Sequence, residues 1–329
     1  MAIVADTFTT YLAKGVREDL SDLIADISPT QTPFQSNIGT RSVSNTLFEW
    51  QTDSLAAASA TASLEGDETT FDAVTATVRL GNVCQINERS FIISGTEQVV
   101  EKAGRSSEVG YQAAKAAKEL KRNVEKAALG NTGANTGGAT TVRTTAGFPA
   151  WLKTNTAKNA ATVPTWSGSY PSAGTAADMW TFGTATVFLE SMLQEVMQEC
   201  YESGGEPTML MVSPFNKRKV SGFAGIAESR YSVDGAQPSV IIGAADIYVS
   251  DFGNLSVVPN RFFTTYNSST CDWAFCIDTD EVAIGTLRPY TIDSLAKTGD
   301  ADKRMALTEW GLQVNNESAH GVVAGITAS

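Results

Sequence analysis

The 329-residue sequence has one histidine, His320. A serine–histidine–carboxylate triad therefore has a single candidate base. That residue sits in "NNESAHGVV", between two expected strands, where a structural role is expected. The four cysteines, Cys84, Cys200, Cys271 and Cys276, form no C-x-x-C pair, so zinc-site spacing is absent. Cys271 and Cys276 would face opposite sides of one strand, and all four read as buried thiols of a reducing cytoplasm. No stretch approaches the ~20 apolar residues of a membrane-spanning helix. The start, "MAIVADTFTTYLAKGV", lacks the basic segment and apolar run of a secretion signal. The expectation is a chain made and folded in a cytoplasm, with the N-x-S/T matches at Asn254, Asn267 and Asn316 due to chance. Lysine is missing throughout the stretch between Lys14 and Lys102.

Positive charge is scarce overall, the formal net charge being −12. General DNA binding is a poor fit, because phosphate contacts need Lys and Arg. Such a surface suits a protein that lies near nucleic acid without sticking to it. The acids Asp278, Asp280 and Glu281 in "CIDTDEV" read as a strand end and turn rather than as a glycosidase pair. "GDADK" (Gly299 to Lys303) lacks the alternating oxygen ligands and closing Glu of a calcium loop. "NTGANTGG" lacks the Gly-Lys-Ser/Thr end of a phosphate loop. The expectation is no enzyme, no metal and no cofactor.

What the chain does have is 42% apolar residues and 9% aromatics, enough for an ordered core. In "GVREDLSDLIADISP", Leu20, Leu23, Ile24 and Ile27 fall at helical spacing before Pro29, and an irregular course follows through "SPTQTPFQSNIG". So short an amphipathic stripe needs something to pack on. "TLFEWQTD" (46–53) and "FDAVTATVRLGNVCQINERSFII" (71–93) read as strands, the second bent near Gly81 and Asn82. Between them lies "FEWQTDSLAAASATASLEGDETTFDAV" (48–74), with six acids and no Lys or Arg. Together these make a projecting hairpin with a long connection, and such connections in compact proteins usually have a function. A single helix is expected over 95–129, with Thr96 as N-cap, Gly130 as left-handed C-cap and bends at Gly104 and Gly110; it would span about 50 Å. Residues 131–177 read as surface chain anchored by Trp151 and Trp166. A second helical and stranded region begins at Asp178. It holds a helix through Phe182, Leu189, Leu193, Val196 and Cys200, a buried strand "TMLMV", and a helix opened by Ser213 and Pro214. Further strands run to the C-terminus. The order indicates an α+β protein in which strands near 80–90 share a sheet with strands of 305–328.

The segments "TFTTYLAKGVREDLSDLIADISPTQTPFQS", "FEWQTDSL", "NVCQINERSFIISGTEQVVEKAGRSSEVGYQ" and "ELKRNVEKAAL" carry a resemblance that continues through "DIYVSDFGNLSVVPNRF", "LRPYTIDSLAKTGDADKR" and "EWGLQVNNESAHGVV". Over nearly its whole length the chain resembles the major capsid proteins of tailed bacteriophages, in a group long known as a domain of unknown function. The resemblance implies the Hong Kong 97-type capsid fold. Its parts would be an N-terminal arm (1–45), an extended-loop hairpin (46–93), and a peripheral domain (94–177) with spine helix 95–129. An axial domain (178–285) and return strands of the peripheral domain (286–329) would complete it. It further implies hexamers and pentamers closing an icosahedral head around double-stranded DNA, assembly in the bacterial cytoplasm, and a portal, with no membrane association. Two departures follow. Barely 45 residues precede the hairpin, so a separate scaffolding protein is expected. The type member joins an extended-loop lysine to a neighbour's asparagine, and without lysine this loop cannot; shell strength must come from noncovalent contacts or a cement protein.

Glu65, Asp67, Glu68 and Asp72 make the loop acidic, whereas Lys115, Lys118, Lys121 and Arg122 make the helix basic. Lys115, Lys118 and Arg122 share one helical face. The expectation is that the loop tip lies across a neighbour's helix, while the stripe Leu20, Leu23, Ile24 and Ile27 docks the arm. A cargo-enclosing bacterial nanocompartment shell of the same fold is the alternative reading; a tail-tube protein and a carboxylate hydrolase are more distant ones.

Overall fold

The computed structural model describes residues 30–62, 65, 66, 68, 71–101, 106–159, 161–164, 179–223, 246–263 and 271–328. The arm stripe Leu20, Leu23, Ile24 and Ile27, the loop residue Asp67, Trp166 and the glycine expected to bend the helix at 104 lie outside them. In chain order the chain forms helix α1 (Pro33–Asn37) and strands β1 (Gly39–Ser42), β2 (Leu47–Thr52), β3 (Val78–Val83) and β4 (Gln85–Ser94). Helices α2 (Gly95–Val99) and α3 (Glu108–Ala128) follow, then β5 (Thr156–Lys158), β6 (Ala161–Thr162) and β7 (Thr181–Phe182). Next come α4 (Glu190–Glu202), β8 (Met209–Val212), α5 (Pro214–Val220), β9 (Ile247–Ser250) and β10 (Gly253–Pro259). The chain closes with β11 (Cys271–Ile277), β12 (Val282–Ser294), β13 (Ala301–Val314) and β14 (Gly321–Thr327).

Two sheets organise these elements. One has the order β1-β12-β13-β4, the other β5-β14-β11-β8-β10-β9. The long β12–β13 pair is antiparallel, and β4 continues it on the far side, with Gln85 opposite Trp310 and Ser94 opposite Ala301. Chain-distant strands thus share a sheet as the sequence pattern predicts. The return segment, however, divides. β12 and β13 enter the four-stranded sheet, whereas β14 pairs with β11 and β5 in the other. The reason is local: β14 is apolar on both faces, and such a strand needs cover on both sides. Val322 and Ala324 pack into one core, Val323 and Ile326 into a second.

The helix expected over 95–129 is split. Ser94, not Thr96, caps α2 by accepting from Glu97 N–H, and Ser107 caps α3 by accepting from Gly110 N–H. Two serines at the right distance before a turn of helix each offer a start, and the chain uses both. α3 is thus 21 residues, about 31 Å. At its other end Leu129 is the cap, and Gly130 is absent from the glycines at positive φ. Close approach is the constraint there: a Cβ on Gly147 would fall 1.9 Å from the Gly130 carbonyl oxygen. The expected 71–93 strand also divides. Residues 71–77 are not strand, and the break falls at Cys84, where the chain passes from the hairpin to the sheet. "PFQSN", read as irregular, is the short helix α1 with Pro33 in its first turn, a position where the missing N–H costs nothing. α4 starts at Glu190, so Phe182 belongs to β7 instead.

Candidate functional site

The hairpin is anchored at its base, and the described residues of its end are exposed. β2 pairs β3 in antiparallel register from Leu47–Val83 to Thr52–Val78. Alternation sends Phe48 and Trp50 inward, and both are buried with Leu80 and Val83 in the main core. Trp50 packs against Trp151 at 5.4 Å between ring centroids. Phe48 lies over Gly311, where a Cβ would meet its ring at 2.5 Å. Asn82, wholly buried, ties the base to two other segments: its Nδ2 donates to the Leu312 and Ala146 carbonyls, and its Oδ1 accepts from Ala146 N–H. On the outward face Arg79 pairs with Glu49.

Beyond Thr52 the picture inverts. Every described residue from 53 to 77 is exposed. Leu55, Phe71 and Val74 are 94–98% exposed. Glu65 and Asp72 are exposed with no ion pair among the described residues, and Glu68 is exposed too.

α3 packs on β4 and β13 through Ala116 and Leu120, which meet Ala306, Phe91 and Ile292. Lys115, Lys118 and Lys121 are exposed on its far side, without a carboxylate partner among the described residues. Arg122 is only half-exposed and sits over the Phe262 ring, 5.4 Å from its centroid. Glu119 is engaged by Arg89 at 3.1 Å, which removes one competing acid from the helix surface. Among the described residues no ion pair joins Glu65 or Asp72 to Lys115, Lys118 or Lys121.

One residue of α3 does what the sequence pattern did not predict. Glu125 is 0% exposed, and its carboxylate gathers three parts of the chain. Oε1 accepts from Phe34 N–H at 2.8 Å and Asn260 Nδ2 at 2.7 Å. Oε2 accepts from Gln35 N–H at 3.0 Å and Gln35 Nε2 at 3.1 Å. The carboxylate caps α1, fixing the start of that helix against α3. Burial raises its pKa despite these four donors. An acid four residues after Lys121 and three before Ala128, on the edge of the apolar stripe, was the available signal.

His320 and the four cysteines are buried. His320 is 1% exposed, its Nδ1 accepts from Asp278 N–H at 3.1 Å, and its ring meets Phe148 edge-on. Desolvation lowers its pKa to about 3. All four cysteines are free and buried, and desolvation pushes Cys84 and Cys200 up to about 12, which holds those two thiols protonated. Among the described residues no group of three or more His, Cys, Asp and Glu could hold a metal ion. No helix among them is long and apolar enough to cross a membrane.

Comparison with known proteins agrees with this geometry. The family model for the SU10 major capsid protein matches residues 3–327. The major capsid protein of Escherichia phage Phieco32 is 27% identical over 350 aligned positions, covering 96% of each chain. Among solved structures, the capsid of a native GTA particle superposes with a TM-score of 0.63 at 14% identity, over 96% of this chain and 97% of that one. The SrpI encapsulin of Synechococcus elongatus PCC 7942, solved as its holo complex, gives 0.53 at 8% identity, over 93% and 92%. At such identities these two likenesses speak for the fold alone.

Proposed function

The chain belongs to the SU10 major capsid protein family, and from that premise we propose that its copies hold one another by laying the β2–β3 hairpin across α3 of a neighbour. It is a major capsid protein of a tailed phage with the Hong Kong 97-type fold. On our reading, copies associate as hexamers and pentamers that close an icosahedral shell around double-stranded DNA. Scaffolding protein, portal and any cement protein come from other genes, and assembly takes place in the host cytoplasm.

What supports the contact is the complementarity of two surfaces: an acidic, exposed hairpin end with bare Leu55, Phe71 and Val74, and a helix face whose Lys115 and Lys118 have no carboxylate partner among the described residues. Each exposed ion pair contributes only about 0–1 kcal/mol, but a closed shell repeats the contact many times. The test is charge reversal at Lys115 and Lys118, chosen over Arg122 because that side chain also packs on Phe262. The Lys115→Glu, Lys118→Glu chain should fold but assemble poorly, and most poorly at low salt. Normal shells at low and high salt alike would contradict the contact. The nanocompartment reading draws only on the encapsulin likeness, and the family match favours a phage head.

A further inference from the structure

A second pair of complementary surfaces lies on the six-stranded sheet. α4 and α5 cover the same face of it. Leu193, Val196, Met197 and Cys200 of α4 and Val220 of α5 share one core with Leu210, Val212, Leu255 and Val257. α4 rests on β5 and β14, α5 on β8 and β10.

Their charges are opposite. α4 carries Glu190, Glu195, Glu199 and Glu202 and no base. Glu195, Glu199 and Glu202 repeat at four- and three-residue spacing, where like charges repel. Two of them stand in the last turn, where the helix dipole also disfavours an acid. The pKa of Glu199 is raised, first by desolvation and then by Glu195. α5 carries Lys217, Arg218 and Lys219 and no acid. Lys217 is tied to Asp246 and to the Val257 carbonyl. Arg218 and Lys219 are exposed, without a carboxylate partner among the described residues.

Beside α4 the β9–β10 turn encloses a groove of about 550 Å³. Glu195 and Asp251 rim it, Glu190 beside them accepts from the hydroxyl of buried Tyr248, and Phe252, 37% exposed, gives it an aromatic wall. Carboxylates beside aromatic faces suit a guanidinium, which pairs with the first and stacks on the second. Exposed Val249 and Tyr201 extend the surface around it.

We propose that this groove receives Arg218, with Lys219 beside it, from α5 of the next copy in the capsomer. The contact is head-to-tail: each copy offers a groove to one neighbour and a basic helix to the other, which is the arrangement that closes rings. It rests on the capsid reading but uses surfaces separate from the hairpin and α3.

The test begins with unmodified assembled shells. A zero-length carbodiimide joins a carboxylate to a lysine amine only when the two touch. Shells built from mixed heavy- and light-isotope chains should give mixed-isotope cross-links between Lys219 and Glu195 or Asp251. Closed shells without such a link would overturn the proposal while leaving the capsid reading intact; absence of shells even when the phage's own scaffolding protein is supplied would strike the capsid reading itself. Charge reversal adds a second arm. Arg218→Glu with Lys219→Glu, or Glu195→Lys with Asp251→Lys, should each cut assembly at least tenfold at low salt. All four changes in one chain should restore it. Equal assembly by every variant, or failure of the fourfold variant to recover although it folds, would count against the contact.

Discussion

Glu125 and His320 are both wholly buried, yet they act in opposite ways. Glu125 holds four donors, and truncation removes the acceptor of the Phe34 and Gln35 backbone N–H groups, whereas Gln35 Nε2 keeps the Lys121 carbonyl. Glu125→Ala is expected to cost about 2–4 kcal/mol of subunit stability and to free α1 and the arm before it, read as faster hydrogen exchange at Phe34 and Gln35. A parent-like melt with protected amides would contradict that. His320 is held neutral. Its folded pKa is about 3 against an ordinary 6.5, so as pH falls below 6.5 the unfolded chain takes up a proton that the folded one refuses. Stability from this group is full above about 6.5 and is lost toward about 3. Asp272, raised to about 6 by desolvation, acts the other way between about 6 and 3.8. The His320 effect is therefore isolated by difference: the advantage of the parent subunit over His320→Gln should shrink by up to about 1.4 kcal/mol for each unit of acidification through that range. A difference independent of pH would contradict a buried neutral imidazole.

Among the elements, hairpin and spine helix were largely legible from sequence. β2 alternates, α3 is alanine-rich with apolar residues at three-and-four spacing, and the Ser213–Pro214 start of α5 is realised, Ser213 accepting from Asn216 N–H. The helix length was misread because 94–107 contains two competing serine caps, a choice that local propensity does not settle. The division of the return strands was hidden for another reason: alternation tells which side of a strand is apolar, not which sheet it joins. The surfaces proposed for contact were readable from sequence only as charge, and the buried acid beside them was not. The lysines of α3 stood out as charge, but the role of Glu125 depends on Phe34, Gln35 and Asn260, which are remote in sequence. At this scale the hairpin base should be rigid and its end dispensable for folding. Replacing Gly311 by valine drives a side chain into the Phe48 ring and should cost about 1–3 kcal/mol, checked by denaturant unfolding. Removing residues 54–76 with a short turn in their place should leave the subunit folded but unable to form shells.

At the scale of the whole molecule, the subunit is built as a part. A hairpin with bare apolar residues, a basic helix face and an acidic groove are costly surfaces for a lone protein and useful ones for a shell. The arm belongs to the same logic on our reading: its stripe Leu20, Leu23, Ile24 and Ile27 precedes in sequence the α1 start that Glu125 holds. Deleting residues 1–28 should yield soluble capsomers or misassembled particles, seen by negative-stain microscopy; stable, regular shells from that chain would make the arm dispensable. The most direct test of the central claim is electron cryo-microscopy of the assembled protein at side-chain resolution. The expected map shows closed shells in which each hairpin end crosses a neighbour's α3, with Glu65 or Glu68 within ion-pair distance of Lys115 or Lys118. Closed shells whose hairpins fold back on their own subunit, or lie on a surface that excludes α3, would contradict it.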